Sequence, residues 1–434
     1  MTAPVPLPFS EPAYLTGAPN PYYSPSHLAW QKACRAFITA NLTTHALDWE
    51  RAEEVPPSVF DTFSAAHMLI PALPGPLPIA WLKRLGIHTL LGGLPVEEFD
   101  YMHFLIHADE MARSGLAGPG ASLTTGMAYG VPPIIKYGSK ELQERVLPDL
   151  LMGRARACIA ITEPGAGSDV AGIEATAVRS EDGGEYVVNG QKKWITNGIW
   201  ANYATTAVRT GGPGPGGLSL LLISLQSPGV TLRKLAVTGM ATSGTTFITL
   251  EDVRVPISNL IGAEGQGMKM IMTNFNHERL SIAIATTRQA RVAVSSALEY
   301  VLAREAFGKA LVEQAVVRHR LAKVGARVES QWAWVESVAW RMRQGEADMG
   351  GVLALVKASA GMVLAEAAST AVVLLGGNGL TRSGRGELVE RIYRDVPGAV
   401  VPGGSEDVML DLGVRELVKN YRKAIRKLEA GSKL

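Results

Sequence analysis

The sequence predicts an α+β multidomain protein: an N-terminal α-helical domain, a central antiparallel β-barrel or sandwich domain, and a C-terminal four-helix bundle. Three observations predict it. Residues 26–155 carry apolar side chains three and four apart, the helical period. Residues 156–262 read as short strands between turns, with no helical stretch between them. Residues 263–430 return to long helical patterns, and residues 431–434 form a short tail.

Taken in order, residues 1–25 are an N-terminal extension rich in proline and polar residues, without the charged start and apolar core of a secretory signal. Residues 26–42, 99–114 and 140–151 show helical spacing. Residues 69–96 hold many Pro, Gly and Leu and read as an irregular loop that packs on the surface or lids a cleft. In the central region Glu185-Tyr186-Val187-Val188 runs into Asn189-Gly190, a hairpin-turn dipeptide. Trp194-Ile195-Thr196 and residues 203–208, 218–225, 245–250 and 253–255 complete the strands. Short turns without crossover helices point to antiparallel pairing. Residues 268–306, 312–343 and 350–375 are good helix formers with apolar stripes, and such long helices pack as a bundle.

Composition narrows the function. Only 19% of the 434 residues are charged and the net charge is +2. No basic run interleaved with aromatics appears, which leaves nucleic acid without support. The basic tail around Lys423 reads as the solvated face of a last helix. Cys34 and Cys158 are the two cysteines, far apart, which fits a reducing compartment rather than a disulfide framework. Eight scattered histidines give no metal-ligand spacing. The longest unbroken apolar run is too short to span a bilayer. The final Ser432-Lys433-Leu434 reads as a peroxisomal address; mitochondrial or cytoplasmic residence is the alternative.

Two motifs carry chemistry. Thr162-Glu163-Pro164-Gly165-Ala166-Gly167-Ser168-Asp169 follows an apolar strand and forms a tight loop with accessible N–H groups, suited to a ring carbonyl or a phosphate. No crossover helix follows, so it is not a dinucleotide-binding fingerprint. In Trp194-Ile195-Thr196-Asn197-Gly198, a Trp and a Thr two apart share one face of a strand, an aromatic plane beside a hydroxyl. Taken alone, the loop is equally an ordinary turn, and the second motif reads as a core Trp next to a satisfied Thr.

Together with Glu251-Asp252-Val253-Arg254-Val255-Pro256, Phe307-Gly308-Lys309 and Gly376-Gly377-Asn378-Gly379, in this order and spacing, they make the sequence resemble the acyl-CoA dehydrogenase family over residues 100–425. The resemblance implies FAD as cofactor, an acyl-CoA or related thioester as substrate, and a homo-oligomer, tetramer or dimer, that shares FAD across an interface. It implies that Thr162 bonds the flavin pyrimidine edge, that Ser168 lies near cofactor and thioester, and that Trp194 and Thr196 sit against the flavin. Arg304 and Phe307 resemble residues that reach the FAD of a neighbouring subunit; a planar guanidinium suits a pyrophosphate. Gly376, Gly377 and Gly379 allow close backbone approach to it, and Ser405 falls at a cofactor-binding position. Two positions depart from the family: its adenine-side glutamine falls on Ala315, with Gln314 one place early, and the glutamine before the glycine pair is Val373.

The reaction needs a carboxylate to take the proton α to the thioester carbonyl while the β-hydride passes to flavin N5. In many relatives that glutamate sits in a C-terminal loop, where this sequence has Gly403. A minority, typified by the long-chain and isovaleryl enzymes, places it on the first bundle helix in a Glu-Arg-Leu context. Here that context is Glu278-Arg279-Leu280. The resemblance therefore implies Glu278 as base, with Arg279 near the substrate and the Gly403 amide donating to the thioester carbonyl. Glu406 and Asp407 rank below Glu278. The electron acceptor is either an electron-transfer flavoprotein or oxygen, the latter an acyl-CoA oxidase activity. Further alternatives are a tailored acyl substrate, reductive operation, and a flavin-binding protein without catalysis.

Overall fold

A computed structural model describes residues 5–431, so Ser432-Lys433-Leu434 lie outside the described residues. The chain divides into two compact units.

One unit comprises Pro25–Met111 and Leu116–Glu278. Its helices form where the pattern places them. Pro25–Ile38 buries Trp30, Cys34 and Ile38, spaced by four. The carboxylate of Asp100 caps Tyr101–Met111, accepting from the N–H of Met102 at 2.9 Å and of His103 at 3.1 Å. Ser139 caps Lys140–Leu151 by accepting from Leu142 N at 3.1 Å.

An eight-stranded sheet follows, in the order Leu260–Ile261, Leu218–Ser224, Tyr203–Arg209, Thr176–Arg179, Glu185–Ile195, Thr246–Pro256, Val230–Lys234. Ala157–Ala160 pairs alongside Tyr203–Arg209. The sheet stays open along this path rather than closing into a barrel. Most pairs are antiparallel; Ala157–Ala160 and one bridge from Thr176 run parallel to Tyr203–Arg209. Tyr186, Val188, Leu221, Ile223, Ile248 and Val253 form the core of this sheet.

Two expectations are corrected here. Asn189-Gly190 is not a hairpin turn: the strand Glu185–Ile195 runs through it, with a register shift between Val188 and Gly190. Gly190 has φ 145° and lies so close to the Ala175 backbone that a Cβ would stand 2.6 Å from its Cα, while Asn189 pairs with Asp252 on the neighbouring strand. The hairpin reverses earlier, between Thr176–Arg179 and Glu185–Ile195. Secondly, the start of the 69–96 segment is core, not surface: Leu69, Ile70, Pro71, Ala72 and Leu73 are all buried. The rest of that segment carries only short elements, among them the helix Ile79–Arg84.

The other unit comprises residues to Ser24, Ala112–Gly115 and the chain from Arg279. Its helices are Ala315–Arg343, Gly350–Leu375, Glu387–Val400, Glu406–Gly431 and the portion of Gly267–Ala303 from Arg279 onward. Gly350–Leu375 packs against the next helix on either side and against Glu406–Gly431. Residues 350–380 are long and apolar enough to cross a bilayer by composition. Leu353, Val356, Leu364 and Ala368 are buried inside this unit, as in the core helix of a bundle.

The N-terminal stretch is strapped to these helices. Arg288 and Arg291, both nearly solvent-free, donate to the carbonyls of Ser10, Phe9 and Glu11. Arg288 also pairs with Glu11, and Arg291 with Glu329. Tyr23 donates to Glu336 at 2.7 Å.

Candidate active site

The expected site residues fall into two sets, one in each unit. In the first unit the strand Ala157–Ala160 delivers the loop 162–169, and the strand Glu185–Ile195 delivers Trp194. The two are stitched together: Lys193 N donates to Thr162 O at 3.0 Å. Thr162 therefore stands beside the Trp194-Ile195-Thr196 turn. The strand is irregular there, with a register shift between Lys192 and Ile195 and φ 60° at Trp194. Trp194 leaves its indole half exposed while Ile195 is buried and Thr196 partly so. The regular alternation on which the expected face-sharing of Trp194 and Thr196 rested is broken here, and the strand ends at Ile195.

A buried ion pair that the sequence reading missed sets this loop. Lys192 Nζ donates to Glu163 Oε1 at 2.7 Å and to Ile161 O at 3.1 Å. Glu163 also accepts from Glu174 N at 2.7 Å and Ala175 N at 3.0 Å. Lys192 is fully buried, and burial pushes its pKa down to about 8 against the opposing pull of Glu163. The backbone on both sides of Thr162 is held by these bonds.

Glu278 lies on the helix Gly267–Ala303, and its Oε2 is shielded from solvent. The preceding His277 is buried; its Nε2 faces Ala72 O at 2.9 Å and its ring lies 4.4 Å from that of Phe104, centroid to centroid. Burial pushes the His277 pKa down to about 4.

In the other unit, Gly403 and Gly404 have φ 71° and 105° in the turn between Glu387–Val400 and Glu406–Gly431. Arg279, buried, donates from Nε to Gly403 O at 3.3 Å. Lys357, also missed from sequence, donates to Val400 O and Gly404 O, each at 2.6 Å. Ser405 closes the turn, its carbonyl accepting from Met409 N at 2.9 Å.

Arg304 precedes a small hairpin, Glu305–Ala306 with Lys309–Ala310, and Phe307 lies in its turn. Phe307 and Gly308, φ 56° and 75°, are the two central turn residues, as a primed hairpin turn requires, and Phe307 is 93% exposed. Asn378 Nδ2 donates to Tyr300 Oη at 3.1 Å, which ties the Gly376–Leu380 turn to the helix that ends just before Arg304. Gly376 and Gly377 are exposed. Ala315 begins its helix exposed, and Val373 is exposed as well.

Each set, taken by itself, fits part of a flavin dinucleotide. Nothing stands within 4 Å of where a Cβ would sit on Gly165, Gly167, Gly376 or Gly377, so a bound group has direct access to backbone there. An open indole, two threonine hydroxyls and exposed N–H groups make a donor set for a flat ring with polar edges. An exposed Arg304 suits a phosphate-bearing tail.

A helical N-terminal region, a central open sheet and long C-terminal helices, bearing this donor set, define an FAD-dependent oxidoreductase. Residues 24–154, 158–253 and 265–418 match the N-terminal, middle and C-terminal domains of acyl-CoA dehydrogenase, and the chain belongs to that family. It is 61% identical over 428 residues to acyl-CoA dehydrogenase apdG of Emericella nidulans, covering 97% of this chain and 98% of that one. It is 35% identical over 424 residues to acyl-CoA dehydrogenase AFT10-1 of Alternaria alternata, covering 96% and 97%. Among solved structures, a putative acyl-CoA dehydrogenase from Mycobacterium smegmatis superposes with a TM-score of 0.82 at 31% identity, over 92% of this chain and 99% of that one.

Proposed function

We propose that the protein desaturates an acyl-CoA thioester between Cα and Cβ, with Glu278 as the base that takes the α-proton. The observation that carries this reading is the placement of Glu278: its Oε2 is withdrawn from solvent on a helix, where most glutamates are solvated. The position at which many relatives hold the base is Gly403, which has no side chain to offer. The bound FAD supplies the hydride acceptor. Thr162, Trp194 and Thr196 hold and orient the ring, and the Gly403 N–H donates to the thioester carbonyl as negative charge develops on its oxygen. Arg279 and Lys357 hold that N–H in place through the turn carbonyls. Gly376, Gly377, Arg304 and Phe307 reach the dinucleotide tail of the FAD in a neighbouring subunit, Ser405 falls at a cofactor-binding position, and Ser168 and Arg279 border the thioester.

Electrons leave to an electron-transfer flavoprotein. The test is anaerobic bleaching of the flavin by a panel of acyl-CoA thioesters, with Glu278→Gln alongside. Bleaching by wild type and not by the variant supports Glu278; bleaching by both removes it from the role and turns attention to Glu406 or Asp407. Peroxide formed on aerobic turnover without added acceptor assigns oxygen as the acceptor instead.

A further inference from the structure

The residue before the proposed base is a histidine with one ring nitrogen committed and the other open. His277 is 4% exposed. Its Nε2 lies 2.9 Å from Ala72 O, an acceptor only, so Nε2 carries the proton. In the neutral ring Nδ1 is then a lone-pair acceptor, and it is buried with no protein partner. The environment is otherwise apolar and aromatic: ring centroids lie at 4.4 Å for Phe104, 6.1 Å for Tyr101 and 6.5 Å for Tyr129. Burial keeps the ring neutral, with a pKa pushed down to about 4.

A buried acceptor left open is costly, and buried polar groups in folded proteins are nearly all satisfied. None of the described residues satisfies this one. Asn274 lies three residues before His277 and four before Glu278, so both side chains flank one stripe of the helix. Asn274 Nδ2 donates to Tyr129 O at 2.9 Å, which places Tyr129 against that stripe. His277 and Glu278 thus stand on either side of the stripe that Asn274 marks, and three aromatic rings lie around His277.

We propose that His277 Nδ1 is a specificity determinant that accepts a hydrogen bond from an O–H or N–H group on the acyl chain of the substrate. The inference rests on the reading of Glu278 as base of an acyl-CoA dehydrogenation, and it narrows the substrate class. Because Cα and Cβ must each give up a hydrogen, the donor group lies at Cγ or beyond. A plain alkyl chain leaves Nδ1 unsatisfied; a hydroxylated chain of the same length does not.

The test compares anaerobic flavin reduction by one saturated acyl-CoA with its hydroxylated counterparts, the hydroxyl moved carbon by carbon outward from Cγ. At one position kcat/KM exceeds that of the parent by about tenfold, the worth of one well-placed hydrogen bond. His277→Gln puts an amide nitrogen where Nε2 stood, which keeps a donor for Ala72 and removes the Nδ1 acceptor; the ratio then falls to about one. A merely structural role for His277 lowers both rates and leaves the ratio alone. A wild type that favours no hydroxylated chain overturns the inference, as does a preference that survives in His277→Gln. Should the variant not fold, the wild-type series decides alone. Reduction by the parent without any preference sinks this inference only, whereas no reduction by any thioester sinks the acyl-CoA reading and the inference with it.

Discussion

Arg279 donates from Nε to the carbonyl of Gly403 across 3.3 Å, and in doing so steadies a glycine whose own N–H is proposed to face the thioester. The bond joins the residue after the proposed base to the position where many relatives carry theirs. A guanidinium that is 4% exposed has little freedom to reorient, so the turn inherits its rigidity. Removing one oxyanion donor outright costs about 100- to 1,000-fold in rate. Displacing it costs less. Arg279→Met, similar in length but without a donor, is expected to lower kcat about tenfold with flavin content unchanged. Rapid-mixing measurement of flavin reduction checks this; an unchanged rate removes Arg279 from the positioning role.

Lys357 holds the same turn from another direction. Its Nζ lies 2.6 Å from both Val400 O and Gly404 O, at the carbonyl end of a helix where a cation is favoured. Hydrogen bonds from charged groups are worth about 1.5–3 kcal/mol each, so Lys357→Met is expected to destabilise the protein by about 2–4 kcal/mol. Urea unfolding monitored by circular dichroism gives the number. A loss below about 0.5 kcal/mol contradicts the assignment.

Much of this architecture is legible in the sequence because it is local. The helices Lys140–Leu151 and Gly350–Leu375 run where apolar spacing places them, since each must bury one face. Asn189-Gly190 misleads because its turn preference is also local. Pairing on both sides of the strand Glu185–Ile195 overrides it, and the glycine serves a bulge. Buried cations are the other blind spot. Arg288, Arg291, Lys192 and Lys357 belong to residue types that are mostly exposed. What makes them interior is a set of partners, many of them backbone carbonyls, supplied by segments as distant as residues 9–11. No periodicity announces a carbonyl.

The Lys192–Glu163 pair predicts a coupling between core stability and cofactor retention. Both side chains are buried, and Glu163 ties the 162–169 loop to residues 174 and 175 as well as to Lys192. Removing one member of a buried ion pair strands the other and costs about 3–5 kcal/mol. Lys192→Met is expected to fall in that range and to lose FAD on gel filtration, since the backbone flanking Thr162 is no longer fixed. A variant that is destabilised yet keeps full flavin occupancy separates the two effects and counts against the positioning role.

Two buried histidines predict how stability responds to acid. His107 and His277 each have a pKa pushed down from 6.5 to about 4 by burial, opposed by one backbone hydrogen bond apiece, to Met68 and Ala72. Both therefore stay neutral in the folded protein at a pH where the unfolded chain would already be protonated. Between about pH 4 and 6.5 the unfolded state binds more protons at these sites, so stability rises with pH across that window. Their contribution is fully present above pH 6.5 and is lost progressively as the pH falls towards 4. A shift of this size amounts to about 3 kcal/mol per histidine at the acid end of the window. Urea midpoints measured from pH 4 to 7 are expected to fall steeply on the acid side. His277→Gln, which cannot titrate, is expected to flatten the slope by about one proton's worth while His107 retains its share. A variant whose pH profile parallels that of the wild type shows that His277 is protonated in the folded state, and with it removes the neutral, accepting Nδ1 from the site.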